Sequence, residues 1–141
     1  MFWTDWTKIE RADLSGENRQ TVVRLENRVF PMSLVIDFKA ERIYWMTSGE
    51  DIQSADFNGN NTRMVPFGIG YAMIDSIDLA LYGDSLYWVD RNCRSILWFN
   101  ITHPSIIHSY GHLTDGYLVG AVVSDESRQP TSKNTIQCIL L

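Results

Sequence analysis

The sequence predicts an all-β chain of short antiparallel strands grouped in fours, and three observations predict it. The stretch Leu86-Tyr87-Trp88-Val89-Asp90 has counterparts at Met1-Phe2-Trp3-Thr4-Asp5 and Ile43-Tyr44-Trp45-Met46-Thr47, so three tryptophans lie 42 and 43 residues apart. The flanks repeat in phase: Ile9 to Gly16 is answered by Ile52 to Gly59, and Ser33 to Ile36 by Ser76 to Leu79. A fixed period near 43 residues means one supersecondary unit used repeatedly. The apolar positions hold no 3.6-residue spacing over a long window, and no capped segment of helical length stands out. Units of four short strands at this period are blades of a β-propeller. Stacked blades cover both faces of each sheet, which accounts for strands apolar at successive positions, such as Leu86 to Val89.

Residues 1–25 open inside a repeat, with strands expected at Met1 to Thr4, Ile9 to Leu14 and Gln20 to Leu25. Ser15-Gly16-Glu17-Asn18 supplies a turn. The first complete unit spans 33–67. Its strands are Ser33 to Phe38, Arg42 to Thr47, Gln53 to Phe57 and Thr62 to Phe67, with Asn58-Gly59 read as a type I′ hairpin turn. The next unit spans 76–110, with strands Ser76 to Leu81, Ser85 to Asp90, Ser95 to Phe99 and Ser105 to Tyr110. The hairpin glycine is missing there, and a longer loop over Asn100 to Pro104 is expected. Residues 117–123 read as an orphan opening strand. From Ser124 the composition turns polar, and 124–141 reads as a linker out of the domain.

Composition narrows the function. Hydrophobic residues make up 45% of the 141-residue chain and charged residues 21%, a globular balance. The formal charge of -5 and the scattered basic residues disfavour nucleic acid and anionic membrane as partners. No apolar run is long enough to span a bilayer as a helix, and no signal peptide opens the chain. Asn60-Asn61-Thr62 and Asn100-Ile101-Thr102 are acceptor sequons for N-linked glycan, which points to the secretory pathway. A chain of extracellular character without an export signal is expected to be a piece of a longer one. Cys93 and Cys138 allow one disulfide at most. No phosphate loop, nucleophile elbow or zinc spacing is present, so neither a catalytic site, a metal site nor a cofactor is expected.

Phe2-Trp3-Thr4-Asp5, Tyr87-Trp88-Val89-Asp90 and the degenerate Tyr44-Trp45-Met46-Thr47 resemble the YWTD repeat, the class B repeat of the low-density lipoprotein receptor family. The downstream Ile-x-x-Ala-Asp-x-x-Gly at Ile9 to Gly16 and Ile52 to Gly59 is similar to the family pattern. So is the tail, where Arg128-Gln129-Pro130, Asn134 and Cys138 resemble the exit into an EGF-like module. The resemblance implies a six-bladed ring of which this chain supplies about three blades. It assigns 1–123 to the partial propeller and 124–141 to a linker and truncated EGF-like start. The remaining blades become implied partners. A head-to-tail homodimer is a further option, with 117–123 of each copy completing the first repeat of the other.

The resemblance also assigns roles. Asp5 and Asp90 are structural hydrogen-bonding residues, and Thr47 stands where a third Asp belongs. Along each tryptophan strand, Leu86 and Trp88 should face one neighbouring sheet, and Tyr87 and Val89 the other. His103, His108 and His112 fall within ten residues. They read as surface residues of the last outer strand and its loops, with a pH-sensing cluster as the alternative. Cys93 is expected to be a free buried thiol, with pairing to a cysteine of the EGF-like module as the alternative, and Cys138 lacks its module partners. The implied function is a non-catalytic binding module for extracellular proteins within an endocytic or signalling receptor. A Wnt-type growth-factor co-receptor and a nidogen-like matrix protein are the alternatives. The ligand and its contact residues are not readable from the sequence.

Overall fold

The computed structural model describes residues 1–26, 28–48, 51–66, 76–92, 94–111, 118–124 and 135–140, and these contain strands and turns but no helix. The chain divides into two compact units, Met1–Val65 and Pro66–Leu141.

The first unit holds two antiparallel sheets wound in chain order. One has three strands, β1 (Phe2–Asp5), β2 (Lys8–Arg11) and β3 (Gln20–Arg24). The other has four, β4 (Pro31–Asp37), β5 (Arg42–Thr47), β6 (Ile52–Asp56) and β7 (Arg63–Met64). The tryptophan strand β5 is bounded as the sequence indicates. The outer strand β7 is shorter than expected: only two exposed residues pair, and Pro66 has no N–H to extend the ladder.

The two sheets share one core. Ile9 and Val23 from the first meet Ile43, Trp45 and Ala55 from the second. Trp45 and Ile43 are fully buried, and so are their alternates Tyr44 and Met46, so β5 is covered on both faces. This is why its sequence shows no polar alternation. Burial pushes the Tyr44 hydroxyl above its usual pKa, with the charge of Asp37 adding to the effect.

Two loops of this unit are built alike. Asp13 N–H donates to Glu17 O and Gly16 N–H to Asp13 O; Asp56 N–H donates to Asn60 O and Gly59 N–H to Asp56 O. Gly16 and Gly59 take φ of 87° and 85°, and Asn18 and Asn61 take 54° and 53°. The side-chain amides of those asparagines return to Asp13 Oδ2 and Asp56 Oδ2 at 2.6 and 3.2 Å. The two-residue type I′ turn expected at Asn58-Gly59 is therefore corrected. Phe57, Asn58 and Gly59 form a three-residue loop with only the glycine left-handed. The Asp56 carboxylate favours it by accepting from Asn58 and Asn60 N–H, both at 2.9 Å. The full signature is Asp-x-x-Gly-x-Asn.

The second unit holds a four-stranded sheet in the order β11-β10-β9-β8: β8 (Ser76–Tyr82), β9 (Ser85–Asp90), β10 (Ser95–Asn100) and β11 (His103–Tyr110). Leu86, Trp88, Leu97 and Phe99 are buried, and the Trp88 and Phe99 rings meet edge-on at 5.8 Å. On the alternate positions Tyr87, Trp98 and His108 are directly opposed across three strands and stack at 5.9 and 5.2 Å. The long loop expected over Asn100 to Pro104 is not found. Asn100 pairs with His103 across a two-residue connection, and Asn100 Oδ1 accepts from Thr102 N–H and Oγ1 at 2.9 and 2.5 Å. An Asx turn replaces the missing glycine.

A two-stranded sheet completes the unit: β12 (Leu118–Ser124) pairs antiparallel with β13 (Thr135–Leu140). The stretch read as an orphan strand thus has a partner, supplied from within the segment read as linker.

Gly59 and Gly16 separate two costs of substitution. A Cβ on Gly59 would lie 1.8 Å from Val22 O, whereas one on Gly16 would meet nothing within 4 Å. We expect Gly16→Ala to lose about 1 kcal/mol from the left-handed backbone alone. Gly59→Ala should lose about 3 kcal/mol or more because the β3 backbone must also move. Urea unfolding of the chain checks the difference between the two.

Candidate functional site

The three motif strands are not equivalent in their surroundings. Trp45 and Trp88 are fully buried, while Trp3 on edge strand β1 is half-buried. Its ring is covered by Arg19, whose Cζ lies 5.2 Å from the ring centroid. Arg19 also bonds Glu10, and Lys8 Nζ reaches Glu10 Oε1 at 2.8 Å and Asp5 Oδ2 at 3.2 Å. A charged lattice therefore lies on the Trp3 face of the first sheet. The Lys8 and Arg19 hydrogen bonds hold the Glu10 carboxyl below its usual range, and the Glu10 and Asp5 bonds raise Lys8.

The motif aspartates take two forms. The Asp5 side chain is 44% exposed and paired with Lys8, its register partner across the β1–β2 turn. Asp90 is buried and accepts from Ser76 Oγ at 3.5 Å across the ladder to β8. Where Thr47 replaces the aspartate, the carboxylate returns four residues later: Thr47 Oγ1 donates to Asp51 Oδ1, and Thr47 N–H to Asp51 O. Gln53 Nε2 holds the other Asp51 oxygen at 3.2 Å. Sequence inspection passed over Asp51 because it lies in the loop rather than in the strand.

The residue most unlike its neighbours is Trp6. It sits in the β1–β2 turn at φ 52°, a left-handed conformation unusual for a bulky side chain, and is 77% exposed. Its ring meets Phe30 edge-on at 5.1 Å. Phe30 is fixed in turn, its N–H donating to Ser48 Oγ at 2.9 Å and its carbonyl accepting from Ser48 N–H at 2.9 Å. The β1–β2 turn, the β3–β4 connection and the β5–β6 loop thus converge at one end of the unit. The sequence carried one overlooked signal: Trp6 follows the motif directly, in a turn too short to bury it.

The first sequon loop lies at the opposite end of the first unit. Asn60 is exposed in the β6–β7 loop. Asn100 is half-buried in the corresponding β10–β11 connection of its own sheet. Asp56 beside the first sequon is pushed up by burial. Its bonds from Asn60, Asn58 and Asn61 outweigh this and leave it below the usual carboxylate range.

Of the three histidines, His103 and His108 are described, and these two do not meet. His103 is bonded to Thr102 Oγ1 at 2.9 Å at the hairpin end, and His108 is stacked on Trp98. Five residues of one strand separate them by roughly 16 Å. His112 and Cys93 lie outside the described residues, as does the side chain of Cys138. Among the described residues no group of three or more His, Cys, Asp or Glu gathers around a common point. A cavity of about 320 Å³ opens beside Phe2, Arg11, Asp13, Asn18, Gln20 and Phe57.

No family model matches the sequence. Over 114 residues, 75% of this chain, it is 26% identical to the protein cueball of Drosophila yakuba, and 27% identical to that of Drosophila willistoni. It spans about a sixth of the length of these curated relatives, 16% and 17%. Its fold is similar to that of a chain in the crystal structure of a nidogen/laminin complex. The TM-score is 0.72 at 22% identity, over 87% of this chain and 48% of that one. The fold is a partial β-propeller.

The ionic lattice sets a pH dependence whose sign is fixed by the shifts. Glu10 is depressed from 4.5, so its contribution is present above that value and is lost as pH falls through the folded pKa. Lys8 is raised from 10.5, so its contribution is present below that value and is lost as pH rises through the folded pKa. Glu10→Gln is expected to flatten the acid side of a Tm-versus-pH curve. In a separate variant, Asp51→Ala should cost about 1–2 kcal/mol by removing the carboxylate that accepts from Thr47 Oγ1 and Gln53 Nε2, measured by urea unfolding.

Proposed function

We propose that the chain is a non-catalytic extracellular module that binds other proteins, a piece of a longer cell-surface receptor. The observation carrying this reading is the Trp6–Phe30 pair: an exposed Trp6 ring set against Phe30, which Ser48 holds at one end of the first unit. Large aromatics in such positions supply most of the energy of protein–protein contacts. Loops on a rigid β-scaffold are the usual place for them.

Glycans at Asn60 and Asn100 belong to the same reading. Both stand on the connection between third and fourth strands of their sheets, the end away from Trp6 in the first unit. Sugar at that end leaves the Trp6 end as the docking end. Residues 1–123 constitute the partial propeller of this proposal, with the rest of the ring as intramolecular partner, and 124–141 returns β13 to pair with β12 before leading out of it. Asp5, Asp90 and the Thr47–Asp51 pair serve as structural ties within it.

A second reading, a docking module of a matrix protein, is favoured by the likeness to a chain of the nidogen/laminin complex. Surface biotinylation of cells expressing the full-length protein separates the two. Labelled protein at the cell surface supports the receptor, and protein recovered only from deposited matrix supports the alternative. Under the matrix reading, immobilised laminin is the probe, and Trp6→Ala should weaken binding about tenfold or more without lowering the Tm. Equal binding by Trp6→Ala and the parent removes Trp6 as the anchor.

A further inference from the structure

The second sequon differs from the first in what stands beside it. Asn100 closes β10, and Trp98 lies two residues earlier on the same strand. The ladder between β10 and β9 runs unbroken from Ser95 to Asn100, so the two side chains leave the sheet on one face, about 7 Å apart. Trp98 is half-buried. Its ring stacks between Tyr87 and His108 at centroid distances of 5.9 and 5.2 Å and interplanar angles of 19° and 20°. Such separations belong to offset rings, and the offset leaves part of each ring face uncovered by its neighbours. Opposite Asn100 on β9 stands Ser85, a small side chain that sets no ring over that end of the row.

The turn fixes the asparagine by its oxygen. Asn100 Oδ1 accepts from Thr102 N–H at 2.9 Å and from Thr102 Oγ1 at 2.5 Å. Having donated its one proton there, the Thr102 hydroxyl accepts from His103 Nδ1 at 2.9 Å. Ile101 N–H donates to Asp84 O at 2.8 Å and ties the turn to the neighbouring hairpin. These bonds use Oδ1 and the backbone. Nδ2, the atom that an N-linked sugar takes, lies outside them.

We infer that the first N-acetylglucosamine of a glycan on Asn100 lies against the Trp98 ring, as a fixed part of this sheet rather than a free appendage; this rests on the reading that Asn100 is glycosylated. A pyranose presents axial C–H groups on one face, and these meet the negative face of an indole as the positive edge of another ring does. The contact is weak for a free sugar. Here the bond to Nδ2 keeps the sugar within reach of the ring, and the tether supplies the effective concentration that affinity would otherwise have to provide. The first sequon has no such platform: Asn58 occupies the position two before Asn60, and the Phe57 ring meets Phe2 at 5.2 Å.

The test uses the 141-residue chain secreted from cells behind a cleavable leader, with its glycans labelled with carbon-13 and trimmed by endoglycosidase to the first sugar. Mass spectrometry reports occupancy at Asn60 and Asn100, and NMR reports the sugar C–H resonances. The Asn100 sugar is expected upfield of the Asn60 sugar, shifted by the indole ring current, and Trp98→Leu should lose that shift. A nuclear Overhauser contact between the sugar and the Trp98 indole is expected in the parent chain, so the result does not hang on how well the variant folds. An occupied Asn100 whose sugar matches the Asn60 sugar and shows no indole contact overturns the inference and leaves the glycan reading standing. An unoccupied Asn100 overturns both at that site.

Discussion

Burial of the central tryptophan strand on both of its faces is the constraint on which the described fold depends. An antiparallel sheet can leave one face in water, and its strands then alternate polar and apolar residues. β5 does not alternate: Ile43 to Thr47 are all buried. Its Trp45 lies in a core to which the neighbouring sheet contributes Ile9 and Val23. A sheet of this kind cannot be stable alone, because removing a core tryptophan is typically worth about 3–5 kcal/mol and the whole face would be wetted at once. Neighbouring sheets are therefore a condition of the fold.

The loops show how local chemistry keeps each sheet in register. Asp13 and Asp56 each hold a turn closed with a carboxylate, a left-handed glycine and a left-handed asparagine. At Gly59 the same turn also meets the backbone of β3, so one residue closes a hairpin and packs one sheet on another. In the second unit Asn100 does the work of the aspartate with a single Asx turn, and the loop shortens accordingly. Equivalent positions thus keep a side-chain oxygen that accepts hydrogen bonds from the turn, even where the glycine is lost.

The same repeat presents different surfaces because the positions between motif residues are free to vary. At the position paired with the motif tryptophan stand Glu10, Gln53 and Leu97 in turn. Glu10 recruits Lys8 and Arg19 and gives the Trp3 face its ionic lattice. The position after the motif aspartate is Trp6 in the first repeat and Ser48 in the second. One projects an aromatic ring from the turn; the other pins Phe30 beneath it. The aromatic end arises from two repeats differing at one equivalent position.

By itself the sequence determined the period, the strand class, the limits of β5 and β9, and the identity of the buried tryptophans. These follow from spacing and residue type, which act locally or through a regular repeat. It also exposed the Ile-x-x-Ala-Asp-x-x-Gly pattern, though not that an asparagine two residues on completes the loop. What needed tertiary structure was set by partners distant in the chain: Arg19 over Trp3, Asp51 replacing the lost aspartate, and Phe30 beside Trp6. The pairing of β12 with β13 belongs here too, since no motif marks either strand as the other's partner. Hydrogen bonds and ring contacts between residues far apart in sequence leave no periodic trace, so only the folded chain decides them.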